Sequence, residues 1–360
     1  MRPFRFAILG TGNIARQFAE ALPGSRRCRV VAVGSRRPES ARAFVDAYAP
    51  GAACDSYDGV LGRDDVDAVY VSLPNTLHHP WTLRALRAGK HVLCEKPLAM
   101  SAAEAEEMFD AARSAGRLLV EAFMYVSHPL HRATADRLRS GEIGRIRHVR
   151  TSFCFRSRKI DGNVRFDRSL GGGALLDVGC YCVHFSRWVA AIAAGTAEAV
   201  EPAELWATAV RHAPTGVDEL VAGAMRFAHP QGTDLTATFA CGLSLQADNT
   251  ATVSGEDGYL ELPVPWKPPV TDARLVIAHA TPPRQDQMPP PPPPGTTTPA
   301  FAPPVAARHE QRLSVDRPLY ALEADDFADA ADGLRPPAVT PADSLANART
   351  LDRLRRLIGD

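Results

Sequence analysis

Phe4-Arg5-Phe6-Ala7-Ile8-Leu9-Gly10-Thr11-Gly12-Asn13-Ile14-Ala15 runs a mostly apolar hexamer into a glycine turn and then into a helical pattern. Gly10 suits the tight turn, Gly12 lets backbone approach a pyrophosphate, and the small Ala15 permits close packing of helix on strand. The helix N-terminus behind the turn offers free N–H groups and the positive end of a dipole to phosphate oxygens. Gly10, Thr11, Gly12, Asn13 and Ile14 are therefore candidate dinucleotide contacts. The structural alternative is an ordinary βα turn; the strand–turn–helix context favours the nucleotide.

The rhythm that follows supports this reading. Strand patterns at Phe4–Leu9, Arg29–Val33, Ala68–Ser72, Val92–Cys94 and Leu118–Glu121 alternate with helical ones at Ala15–Leu22, Pro38–Tyr48, His79–Ala88 and Ala102–Ser114. A βαβα series of apolar strands predicts a parallel sheet covered on both faces. Ser101, with Glu104 three residues on, reads as a helix N-cap, and Pro38 fits a first helical turn. Past Ala122 the pattern changes to a helix near Leu130–Arg139 and strands at Ile146–Phe155, Leu205–Arg211, Leu220–Phe227, Leu235–Phe239, Ala251–Ser254 and Tyr259–Leu262. Separators such as His229-Pro230-Gln231-Gly232 and Gly255-Glu256-Asp257-Gly258 are hairpin chemistry. The expected fold class is α/β: a Rossmann-type domain over 1–122, then an α+β domain over 123–360 with an open, mainly antiparallel sheet.

Fifteen of the thirty prolines fall between Pro263 and Pro304. That stretch reads as polyproline II rather than a central strand, with a surface insertion at about 282–304. Helical patterns at Tyr320–Asp332 and Ser344–Ile358 close the chain.

With 360 residues, 45% hydrophobic and 23% charged, the composition is that of a globular protein and excludes a disordered or collagen-like chain. Forty-one basic residues balance forty-one acidic ones, so no overall field recruits nucleic acid or anionic membrane. The seven cysteines are scattered, and no metal-binding spacing is evident, so no metal is expected. The apolar N-terminal stretch is too short for a signal-peptide core, and no run reaches the roughly 18 apolar residues of a membrane span. The expected location is the cytoplasm.

The second strand ends in Gly34-Ser35-Arg36-Arg37. An enzyme selecting NAD places an acid about 20 residues past the glycines to hold the ribose 2′-hydroxyl. Here Ser35, Arg36 and Arg37 suit a 2′-phosphate instead, which predicts NADP over NAD. The ends of two further strands supply Leu73, Pro74, Asn75 and His78, then Glu95 and Lys96, where ligands bind in open α/β sheets. Asn75 and His78 serve equally well as helix caps. A third constellation is Gly171-Gly172-Gly173-Ala174-Leu175-Leu176-Asp177-Val178-Gly179-Cys180-Tyr181. On a helix, Asp177 and Tyr181 share a face.

Together, Gly10–Ala15, Leu93-Cys94-Glu95-Lys96-Pro97-Leu98 and Gly171–Tyr181 resemble the glucose–fructose oxidoreductase/inositol dehydrogenase (Gfo/Idh/MocA) family of nicotinamide enzymes. Tyr181 and the basic turn are similar to those of its dimeric dihydrodiol dehydrogenase and NADP-linked D-xylose dehydrogenase branch. The resemblance implies that Lys96 and Tyr181 flank the substrate carbon with Asp177 nearby. It also implies a cis Lys96–Pro97 bond and a homodimer through the second-domain sheet.

The expected activity is hydride exchange between NADP and a CH–OH or C=O carbon of a sugar or cyclic diol. Phenols and ammonium groups titrate at about 10 when unperturbed, so Lys96, Tyr181 and Asp177 must act together. Tyr181 is the expected acid/base with Lys96 polarising it, and the roles are exchangeable. Rival readings are a nucleotide-sugar ketoreductase, a redox-assisted glycosidase, and a catalytically inactive NADP-binding partner protein.

Overall fold

The computed structural model describes residues 2–228, 234–279 and 307–360. The separator His229–Gly232 and the proline-rich loop at 282–304 lie outside the described residues.

The first sheet is six-stranded and parallel: β1 (Phe4–Leu9), β2 (Cys28–Gly34), β3 (Ala53–Asp55), β4 (Ala68–Val71), β5 (His91–Glu95) and β6 (Leu119–Ala122), in the order β3-β2-β1-β4-β5-β6. This is the doubly wound nucleotide-binding order, with its switch point between β1 and β4. Phe6, Ala7, Ile8 and Leu9 have no solvent exposure, because helices cover both faces. Those helices are α1 (Asn13–Ala21), α2 (Pro38–Tyr48), the short α3 (Tyr57–Leu61), α4 (His78–Arg87) and α5 (Ala102–Ala115). Ser101 caps α5, its Oγ accepting from Glu104 N at 3.2 Å, and Pro38 opens α2.

α6 (Pro129–Arg139) leads into β7 (Ile146–Cys154), and α7 (Cys180–Ala193) precedes the remaining strands. These are β8 (Glu204–Arg211), β9 (Asp218–Phe227), β10 (Leu235–Gly242), β11 (Ala251–Gly255), β12 (Gly258–Leu262), β13 (Ala273–His279) and β14 (Ala307–Leu313). The second sheet has the order β14-β13-β12-β11-β7-β10-β9-β8. Only the β7–β10 pair is parallel, so the sheet is mixed and mainly antiparallel.

Part of the proline-rich stretch departs from expectation. Ala273–His279 is β13, an inner strand between β12 and β14. No proline falls between Val270 and Ala280, so each residue of β13 keeps the N–H its ladder needs.

The last helices are α8 (Leu319–Ala331) and α9 (Pro341–Leu357). α8 returns to the first sheet. Phe327 packs on Phe4 and Phe6 with ring centroids 6.1 and 5.5 Å apart, and Tyr320 meets Phe18 edge-on. The Asp325 carboxylate accepts from the Arg26 and Arg27 backbone N–H groups and from the Ser25 hydroxyl. No helix among the described residues is long and apolar enough to cross a membrane.

Candidate active site

A cleft of about 610 Å³ runs along the carboxyl ends of β1, β2, β4 and β5 and is closed by the segment 162–177. Gly10 takes φ +111°, and a Cβ there would lie 2.8 Å from the Ser72 carbonyl oxygen, so no side chain fits. Gly12 is the N-cap of α1; nothing lies within 4 Å of where its Cβ would stand, and no side chain caps the helix. The first-turn N–H groups therefore open into the cleft. Ala15 is fully buried where α1 meets the sheet.

At the end of β2, Ser35 is buried and its N–H donates to Asp55 O at 3.1 Å. Arg36 and Arg37 are exposed on the cleft wall. Arg37 has only a loose exposed pair with Glu39 at 3.8 Å, which holds it weakly. These groups fit a 2′-phosphate: two exposed guanidinium groups, Arg36 hydrogen-bonded to Tyr57 and Arg37 loosely paired, beside a small hydroxyl.

Leu73, Pro74, Asn75 and His78 line the cleft at the end of β4, but two of them have structural partners. Asn75 Nδ2 donates to Gly171 O at 2.9 Å, tying the strand end to the glycine segment. Both His78 ring nitrogens lie 2.8 Å from carbonyl oxygens, of Pro97 and of Leu73. Burial pushes its pKa down to about 4, so the ring is neutral and donates to one of them at a time. Glu95 is likewise buried, accepting from Tyr70 Oη and from the Lys96 N–H at 3.3 Å; burial raises its pKa.

Lys96 precedes a cis bond to Pro97, as the family resemblance implies. Its Nζ donates to Asp177 O at 2.6 Å and Oδ1 at 3.2 Å. Arg165 Nε donates to Asp177 Oδ2 at 2.6 Å. Burial opposes the charge on Lys96, yet Asp177, Cys180 and Glu95 together outweigh it and the pKa is raised. Burial likewise opposes the charge on Asp177, and the two cations more than offset this, so its pKa is lowered. Both groups are charged at neutral pH.

Asp177 sits on a π-helical turn, Leu175–Gly179, immediately before α7. Such turns interrupt an α-helix mostly where a side chain has to be aimed. Tyr181, one turn on, is 3% exposed and ringed by Phe123, Tyr125, Phe153 and Trp266. Its hydroxyl donates to Met124 Sδ at 3.3 Å, and Lys96 Nζ lies 5.2 Å from its ring centroid. Lys96 and Tyr181 are thus neighbours, but through the ring face, and Lys96 is the one that lines the cleft. Burial raises the Tyr181 pKa well above that of a free phenol.

Two contributors carry no sequence signal of their own. Arg165 reaches Asp177 from a 3-10 turn, Val164–Phe166, twelve residues earlier. Asp218, on β9, accepts from Leu175 N at 2.7 Å and so anchors the π-turn. Gly173 takes φ +125°, and a side chain there would collide with the Asp218 carboxylate.

A nucleotide cleft at the switch point of a doubly wound sheet, with a charged lysine–aspartate pair beside it, defines a dinucleotide-dependent oxidoreductase. Residues 4–123 match the oxidoreductase family with an NAD-binding Rossmann fold (GFO/IDH/MocA), and 131–261 match the C-terminal domain of that family. The chain belongs to this family. Two dTDP-3,4-didehydro-2,6-dideoxy-alpha-D-glucose 3-reductases are among its relatives. That of Actinomadura kijaniata is 46% identical over 50% of this chain and 54% of its own length. That of Streptomyces violaceoruber is 37% identical over 75% of each chain. A D-xylose 1-dehydrogenase (NADP(+)) of Haloferax volcanii is 37% identical over 62% of this chain and 65% of its own. A solved 3-ketoreductase of Actinomadura kijaniata, in complex with NADP and TDP-benzene, superposes with TM-score 0.79 at 32% identity, covering 99% of this chain and 98% of that one.

Proposed function

We propose that the protein is an NADP-dependent ketoreductase acting on a nucleotide-linked sugar. The observation that carries the reading is the Lys96 ammonium, held by Asp177 at the inner end of a cleft whose outer wall is basic. Gly10–Ile14 and α1 would hold the pyrophosphate, and Ser35, Arg36 and Arg37 the 2′-phosphate. When bound, NADPH supplies the hydride that converts a sugar carbonyl to an alcohol. Lys96 Nζ donates the proton that the new alkoxide oxygen takes up, and Asp177 keeps that ammonium charged and aimed. The Tyr181 ring forms the platform beneath it.

The basic wall supports a substrate with an anionic handle. The segment from Phe155 to Arg168 carries Arg156, Arg158, Lys159, Arg165 and Arg168 against Asp161 and Asp167, in a chain without net charge; Arg165 is paired with Asp177 and Arg168 with Asp360. Gly162, Val164 and Arg165 of this segment line the cleft. Arg158 and Lys159 are exposed. A sugar diphosphate is the ligand that such a wall recognises. The 3-reductases among the relatives act on substrates of this kind.

The second reading, oxidation of a free aldose or cyclic diol, is supported by the D-xylose dehydrogenase relative. Rates with NADPH plus a dTDP-linked 3-ketosugar, set beside rates with NADP⁺ plus D-xylose or a trans-dihydrodiol, separate the two. Two charge-assisted contacts of about 1.5–3 kcal/mol each imply a kcat/KM advantage of roughly 100-fold or more for the nucleotide sugar. A reversed preference establishes the second reading. The quaternary part of the proposal is a homodimer through the outer face of the second sheet, where Trp206 and Val210 of β8 stand more than half exposed. Light scattering on the purified protein tests it.

A further inference from the structure

Away from the cleft, Glu142 in the α6–β7 turn, His279 at the end of β13 and His309 on β14 converge. One ligand atom from each lies within 4.8 Å of the other two. We propose that these three side chains form a binding site for a divalent transition-metal ion of the zinc type. None of them lines the cofactor cleft, and the proposal is independent of the reaction.

The register explains the convergence. In the antiparallel β13–β14 ladder Ile277 pairs with His309 and His279 with Ala307, so the two histidines are diagonal neighbours on one face. Their rings stack with centroids 5.7 Å apart and planes 18° from parallel. Glu142 Oε1 lies 3.5 Å from His279 Nε2 and 3.8 Å from His309 Nε2. Zinc takes imidazole and carboxylate ligands at about 2.1 Å in a tetrahedron, which places donors about 3.4 Å apart. Two edges of the triangle are therefore already near the length that the ion requires.

The carboxylate is also aimed from behind. Glu142 Oε2 accepts from Arg137 Nη1 at 3.0 Å, which leaves Oε1 to the imidazoles. Arg137 is in turn held by Gln311 Oε1, at 3.2 Å from Nε and 3.1 Å from Nη2. Gln311 stands two residues past His309, so β14 supplies both a ligand and the group that fixes the partner of another ligand. Outer partners of this kind orient metal-binding carboxylates. His279 and His309 retain 39% and 52% side-chain exposure, so an ion in solution can reach the imidazoles. His279 and His309 flank residues 280–306, the connection that carries the proline run. A bound ion would join the two ends of that connection and stabilise the β13–β14 pair by mass action.

The test uses full-length protein stripped with a chelator and titrated with zinc against a chromogenic competitor. The expected result is one equivalent of Zn²⁺ bound at micromolar or tighter Kd, with a rise in Tm. His279→Gln with His309→Gln should abolish both, while NADPH binding and reductase rate stay unchanged. Glu142→Gln should weaken binding by about tenfold or more. X-ray absorption of the wild-type zinc complex should show two imidazole nitrogens. A Kd above roughly 0.1 mM, too weak to shift stability at micromolar metal, overturns the proposal. So does undiminished binding in the double variant.

Discussion

Lys96 Nζ lies over the face of the Tyr181 ring, 5.2 Å from its centroid, while the Tyr181 hydroxyl donates to Met124 Sδ at 3.3 Å. The pair is a cation on an aromatic platform, and the two groups have separable roles. Lys96→Ala should lower kcat for carbonyl reduction by roughly 10²–10⁴-fold, the range of a lost proton donor. Tyr181→Phe, which keeps the platform, should cost less than about tenfold. Steady-state rates at saturating NADPH check both; an equally deep loss in Tyr181→Phe would assign the proton to the hydroxyl.

Asp177 keeps Lys96 protonated, and its removal has a signed consequence. In Asp177→Asn the ammonium loses its anionic partner while Arg165 remains nearby, so the Lys96 pKa falls. Reduction needs the protonated form. The alkaline limb of the kcat/KM profile should therefore move to lower pH, and an unmoved limb would remove Lys96 from the role of proton donor.

Arg36→Ala combined with Arg37→Ala should weaken NADPH binding by about 10–100-fold, the magnitude of one charge-assisted contact. NADH binding should change little, because that cofactor has no 2′-phosphate. Parallel fluorescence titrations measure the two. Equal losses for both cofactors would place the 2′-phosphate elsewhere.

Asp218 gives the fold a pH dependence of its own. Burial raises its pKa from 3.8 to about 6. Between those values the folded chain binds more protons than the unfolded one, so stability falls as pH rises through the window and the loss is complete above about 6. The full effect is roughly 3 kcal/mol. Asp218→Asn removes the titration while keeping an acceptor for Leu175 N. Urea melts at pH 4 and pH 7 should show the variant gaining on the wild type at the higher pH.

Much of this architecture is legible in the sequence because it is local. The Gly10–Ala15 turn, the strand end at Lys96 and the Gly171–Tyr181 segment each announce themselves within a dozen residues. β3 escapes because three residues, Ala53-Cys54-Asp55, cannot show an alternation. β13 is hidden by the prolines on either side of it, and β14 by charge, since an edge strand reading Ala307-Arg308-His309-Glu310-Gln311-Arg312-Leu313 carries little apolar signal. Arg165 and Asp218 are invisible for a different reason. Each acts on the glycine segment through a contact that only the folded chain creates, and neither stands in a motif. The adjacency of Lys96 and Tyr181 follows from the family resemblance, but the direction of the hydroxyl depends on where Met124 packs.

Helix α8 has a practical consequence for anyone engineering this chain. A fragment ending at Ala122 contains all six strands and the glycine turn, yet it lacks Phe327 and Tyr320. Phe6 and Phe18, without solvent exposure in the whole chain, would then face water as a sticky apolar strip. A split reporter or fusion built on the cofactor half should therefore carry Leu319–Ala331 in trans or by circular permutation. The last third of the polypeptide has to be synthesised before the first third can finish its core.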